Sequence, residues 1–143
     1  MTSYHKHKIL SGINLVIQYF NGTLDLNAAI NGKSEVLKDP AYKSELNSIV
    51  DFRDAVLEFT DEEITTFINF LRKEHDTDAH RKTVLLTNTP NQVVFLTIFS
   101  NESENLGVRY QIVSTLTAAV EWLGLDKKYE EIINILIEHF KKI

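Results

Sequence analysis

Three groups of residues in this chain have types and spacings that could do chemistry. The first is Asp51-Phe52-Arg53-Asp54, in which two carboxylates flank a guanidinium at the end of an apolar run. Asp51 and Arg53 stand two apart, so on an extended strand they share a face and can pair. The ends of central strands are also where α/β proteins place ligands. The segment reads first as a structural ion pair or loop anchor. Asp51, Arg53 and Asp54 are at the same time the candidate contacts for a ligand or a protein partner. The other two groups are histidines beside acids. His5 and His7 share one face of an N-terminal strand, and His75-Asp76-Thr77-Asp78-Ala79-His80 gathers oxygen and nitrogen donors. Neither has a zinc spacing such as His-Glu-x-x-His. An edge strand blunted by Lys and His accounts for the first, and a polar loop accounts for the second. No metal is expected.

Covalent chemistry has little to work with. The chain holds no cysteine, which removes disulfides, thiolate metal sites and a cysteine nucleophile. It carries no Gly-x-Ser-x-Gly elbow, no Gly-x-x-x-x-Gly-Lys-Ser/Thr phosphate loop and no Gly-x-Gly-x-x-Gly turn. A phosphoacceptor receiver domain needs an acidic pair after an early strand, and that turn here is Phe20-Asn21-Gly22-Thr23. No catalytic residue and no cofactor are expected. Fifteen basic against twenty acidic residues give a net charge of −5. That disfavours nucleic acid, whose phosphates need clustered Lys and Arg. No apolar run approaches the ~20 residues of a membrane span. The N-terminal Tyr4-His5-Lys6-His7-Lys8 opens no signal-peptide core. A cytoplasmic location is expected.

Positioning falls to alternating strands and helices. Residues 5–11 and 14–20 read as two strands around Gly12, joined by a tight turn at Ser11-Gly12-Ile13-Asn14, with Asn21-Gly22 closing the second. A helix over 24–37 follows, with Leu24, Leu26, Ala29, Ile30 and Leu37 as core positions. Gly32 weakens it, and Asp39-Pro40 stops it. Residues 48–53 form the third strand. Thr60-Asp61-Glu62-Glu63 opens a helix with a capping box, after which Ile64, Phe67, Ile68 and Leu71 recur at helical spacing. Thr83 to Thr87 is the fourth strand. Val93 to Phe99 has strand propensity, yet the Thr89-Pro90 start and the length available before Gly107 make it a helix. Val108 to Val113 is the fifth strand. Ser114 or Thr115 caps a helix ending at Gly124, and Asp126 caps a last helix to about Lys142.

This order predicts an α/β fold with a mixed, mostly parallel five-stranded sheet and right-handed crossovers. A parallel strand covered on both faces should be apolar throughout. Instead, Asp51 and Arg53 oppose Val50 and Phe52, and Arg109 and Gln111 oppose Val108, Tyr110 and Ile112. The polar face is expected to be partly solvated, which puts helices largely on the other. Crossovers then keep moving one way, and the sheet has no reversal of strand order and no switch-point crevice.

The stretch Lys38-Asp39-Pro40-Ala41-Tyr42, then Ile49-Val50-Asp51-Phe52-Arg53-Asp54-Ala55, the capped acidic helix, and Ala118-Ala119-Val120-Glu121-Trp122-Leu123-Gly124 resemble the bacterial SpoIIAA-like proteins of the STAS type. The resemblance implies a β-α superhelix over residues 1–125, with 126–143 an extra amphipathic helix packed on the domain or on a dimer partner. Its stripe of Tyr129, Ile132, Ile133, Leu136, Ile137, Phe140 and Ile143 needs covering. A core complete at Gly124 points that stripe toward a second copy. The resemblance also implies a non-enzymatic regulatory or protein-interaction domain with a protein partner. Anti-sigma-factor antagonists of this type carry a phosphorylatable serine in an Asp-Ser-Ser-Gly-like turn. Asp54-Ala55-Val56-Leu57-Glu58-Phe59-Thr60-Asp61 stands there instead, without serine or glycine. The alternative is a small-molecule or lipid-binding carrier, suggested by the apolar Val93–Phe99 segment and by the lipid-exchange folds of CRAL-TRIO type related to this family.

Overall fold

A computed structural model of the chain describes residues 3–74 and 79–142. The donor group at 75–80 therefore falls mostly outside the described residues. The β-branched and aromatic runs at the N-terminus form a hairpin. β1 (Tyr4–Leu10) pairs antiparallel with β2 (Leu15–Leu24) across a 3-10 turn at Ser11–Ile13. Asn14 closes the turn at φ 53°, the left-handed region that asparagine tolerates. β2 does not stop at Asn21-Gly22. It runs on to Leu24 because β3 (Asn47–Leu57) is also longer than the expected 48–53 and pairs with it. Within that parallel pairing Tyr19 faces Asp51, but Asn21 faces Asp54. β3 thus carries one extra residue there, a β-bulge.

α1 (Leu26–Leu37) begins after Asp25, whose carboxylate accepts the Ala28 amide at 2.9 Å. Gly32, expected to weaken this helix, also lets it dock. A Cβ there would stand 2.9 Å from the Phe20 ring and 3.1 Å from the His5 ring, so only glycine allows this approach to the sheet. α2 (Asp61–Glu74) has the expected capping box: Glu63 N–H donates to Thr60 Oγ1 at 3.1 Å, and Thr60 N–H donates to Glu63 Oε1 at 2.9 Å. Thr60→Ala is expected to cost about 1 kcal/mol, read as a lower urea midpoint, while Thr60→Ser stays near wild type. Stoichiometric phosphorylation of Thr60 in cells, with a change of partner, would contradict this structural role.

β4 (Arg81–Leu86), α3 (Pro90–Glu102), β5 (Val108–Val113), α4 (Leu116–Trp122) and α5 (Lys128–Phe140) complete the chain. The ambiguous apolar segment is helical. Thr89 and Gln92 form a second capping box, and the Gln92 amide donates to the carbonyls of Phe52 and Ala55 at 2.8 and 3.1 Å, tying α3 to the bulge. The strands lie in the order β1-β2-β3-β4-β5, with β2 to β5 parallel and no reversal. α1, α2 and α3 lie on one face, where Phe20, Val50, Phe52 and Leu85 meet Ala29 and Leu96. The short α4 and the C-terminal α5 lie across the other.

On that second face Leu15, Ile17, Tyr19, Ile49, Val84 and Leu86 share a core with Ala119, Val120, Ile133, Ile137 and Phe140. The chain's own sheet buries Ile133, Ile137 and Phe140 of the α5 stripe, the first of the two coverings expected from the sequence, and Ile143 lies outside the described residues. Ile132, expected within the stripe, is exposed. The remainder of this face is open as expected: Arg109 and Gln111 are exposed, with Arg109 and Lys82 set against the Trp122 ring. Asp51 alone of the four polar residues is fully buried. No helix among the described residues is long and apolar enough to cross a membrane.

Candidate functional site

The inward face of the sheet is built by strict alternation: Val16, Gln18 and Phe20 on β2, Ser48, Val50 and Phe52 on β3, Arg81, Thr83 and Leu85 on β4, Val108 and Tyr110 on β5. Across from it stand Ala29 and Lys33 of α1, Ile64, Phe67 and Leu71 of α2, and Phe95, Leu96 and Phe99 of α3. Between these layers is a cavity of about 130 Å³. Its walls are mostly apolar and aromatic, as small-molecule sites are.

The polar groups inside fall into two kinds. Gln18 and Ser48 satisfy each other, with Gln18 Nε2 donating to Ser48 Oγ at 3.3 Å, while Gln18 Oε1 lies 3.1 Å from His5 Nε2. Arg81 and Lys33 are different. Arg81 is 6% exposed. One guanidinium nitrogen donates to the Ser44 carbonyl at 3.2 Å, and the other terminal nitrogen is buried without a partner. Tyr42 and Tyr110 flank it. Lys33 is half-buried as a residue, with its ammonium 5.6 Å from the centre of the Tyr42 ring. Burial, with the neighbouring Arg81 charge, pushes the Lys33 ammonium down to about 7. No Asp or Glu is among the described residues that line the cavity.

The residues singled out in the sequence stand elsewhere, at the carboxyl edge of the parallel sheet. The bulge turns Arg53 back onto Asp51. Arg53 Nε and its terminal nitrogen donate to the two carboxylate oxygens at 3.0 and 2.9 Å, and the Arg53 amide donates to Asp51 Oδ1 at 2.9 Å. Asp54 accepts from the Tyr19 hydroxyl, and Lys141 at the end of α5 lies 3.9 Å from it. Burial, assisted by Asp54, raises the Tyr19 phenol well above its usual range. The structure thus brings Asp51, Arg53 and Asp54 together and bonds each within the chain. Arg53 also borders an open polar groove with Thr115 and Glu130.

His5 and His7 share a face of β1, as read, but that face is turned toward α1. His5 Nδ1 lies 3.5 Å from Glu35, and His7 Nε2 lies 2.9 Å from Asp39. Ligand atoms of His5, His7 and Glu35 stand within 4.8 Å of one another. These contacts pin the edge strand to α1 and its C-terminal turn.

Sequence reasoning missed Lys33 and Arg81. The signal for Lys33 was its spacing, four after Ala29 and three before Val36, which places a cation in the apolar stripe of α1.

No protein-family model matches this chain, and no curated protein matches it in sequence. Among solved structures, it is similar to an uncharacterized protein of the DUF3478 family with a SpoIIAA-like fold, from Shewanella loihica PV-4. The TM-score is 0.56 and the identity 8%, over 85% of this chain and 93% of that one. The likeness is one of fold: the mixed, mostly parallel five-stranded sheet with its crossover helices on one face.

Proposed function

We propose that this chain is a non-enzymatic ligand-binding domain that holds a small molecule with a largely apolar body between its sheet and α1–α3. Of the two sequence readings, this favours the small-molecule carrier over the regulatory or protein-interaction domain. The observation that carries it is the cavity of about 130 Å³ behind aromatic walls. An apolar cavity of about 150 Å³ holds a benzene-sized guest, so the occupant is compact. Partner switching by phosphorylation finds less support, since the Thr60 hydroxyl caps α2.

A protein partner is a second reading, favoured by the outer face of α3. Val93, Val94 and Ile98 are 40%, 61% and 41% exposed there, opposite the cavity-lining Phe95 and Phe99.

Binding to the folded state raises thermal stability. Full-length protein should melt at a higher temperature in millimolar 1-hexanol, and native mass spectrometry of protein from its own host should show a retained small molecule. Unchanged melting with 1-hexanol and with hexanoate, together with bare protein in the spectrum, would remove this reading.

A further inference from the structure

We propose that the ligand of this cavity is a compact carboxylate with a short apolar tail, its head at Arg81 and Lys33 and its tail among the aromatic side chains. The proposal rests on the reading of the cavity as a ligand site and adds the chemistry of the ligand.

The argument is one of uncompensated charge. An arginine keeps its proton in any protein environment. A buried guanidinium nitrogen without an acceptor carries the full desolvation cost of that group. Arg81 has such a nitrogen. A second cation, Lys33, stands near enough to feel its charge. Buried cations are ordinarily paired with acids, and the described lining contains none. The polar neighbours do not replace one: Gln18 and Ser48 are bonded to each other, and the phenols of Tyr42 and Tyr110 beside Arg81 offer a dipole in place of an acid. Among the described residues what is missing is an anion, and a ligand can supply it.

The donor set selects its type. The open guanidinium nitrogen can donate to one oxygen of a carboxylate, and the ammonium beside it adds a point charge. One open guanidinium nitrogen and one lysine suit a monoanion better than a doubly charged phosphate. A cationic head would meet two like charges. A neutral alcohol would leave both cations uncompensated. Lys33, held near 7, takes up a proton readily when an anion arrives, which completes the pairing.

Titration calorimetry of the full-length protein with hexanoate, 1-hexanol and hexylamine tests this. Hexanoate is expected to bind about tenfold or more tighter than 1-hexanol, the scale of one charge-assisted hydrogen bond, and hexylamine weaker than either. Arg81→Met should abolish the preference for hexanoate and leave hexanol binding intact. Should that variant fail to fold, Lys33→Met is expected to reduce the preference several-fold. Hexanol binding equal to hexanoate binding would overturn the anion assignment while keeping the cavity. So would full hexanoate affinity in a folded Arg81→Met protein, or in Lys33→Met where Arg81→Met does not fold. Binding of none of the three would remove both readings.

Discussion

A chain ending at Leu125 is expected to lose its fold. Ile133 and Ile137 are fully buried and Phe140 nearly so, all in one core with Leu15, Ile17 and Tyr19 of β2. Full burial of each such side chain contributes ~1.5–3 kcal/mol, about 5–9 kcal/mol for three. The net stability of a domain is only about 5–15 kcal/mol. Truncation also strips the cover from β2, a strand paired on both sides whose second face is apolar. The truncated protein should aggregate in light scattering and lose its dispersed amide NMR spectrum. A soluble, well-dispersed monomer from a full-length dimer would return the stripe to a subunit interface. A soluble product of unchanged oligomeric state would show that α5 is dispensable to the core.

The sequence was most readable where local signals agreed. β5 is bounded by Gly107 and by the capping Ser114-Thr115, and its alternation survives in the structure. The Thr60-Glu63 box marked the start of α2 because a cap depends on four neighbouring residues alone. The bulge in β3 was not readable. An inserted residue changes which partners face each other without changing any residue type, and Phe52-Arg53 looks like ordinary strand. The stripe on α5 announced that something must cover it. Periodicity does not say what, so the choice between its own sheet and a second copy could not come from spacing.

The candidate site was less legible than the fold. Lys33 sits in Gly32-Lys33-Ser34, which lacks the earlier glycine of a phosphate loop and lies inside a helix. A lone lysine there reads as surface until the stripe is drawn through Ala29 and Val36. Arg81 fell outside a fourth strand started at Thr83. Two residues more of strand put it on the inward face with Thr83 and Leu85. A cavity arises from how three helices stand off a sheet, a long-range property that composition does not encode.

The charged group that the sequence did single out makes the other large prediction, and an asymmetric one. Asp51 is 0% exposed at its side chain and Arg53 24%. Asp51→Leu releases a guanidinium that can turn toward water, so its cost is set at about 3 kcal/mol, the low end for breaking a buried pair. Arg53→Met leaves a fully buried carboxylate with only the backbone amide at position 53, and the cost rises to about 4–5 kcal/mol. The double variant replaces both charges by apolar groups. It should cost less than either single change, about 1 kcal/mol, because no uncompensated charge remains. Urea unfolding of the four proteins reads this as a coupling of several kcal/mol, far above the ~0.3–0.5 kcal/mol at which independent sites add. The competing role, contact with a ligand or partner through Asp51, Arg53 and Asp54, makes the opposite forecast. Both single variants would then unfold within about 0.5 kcal/mol of wild type, and the loss would be seen in binding alone.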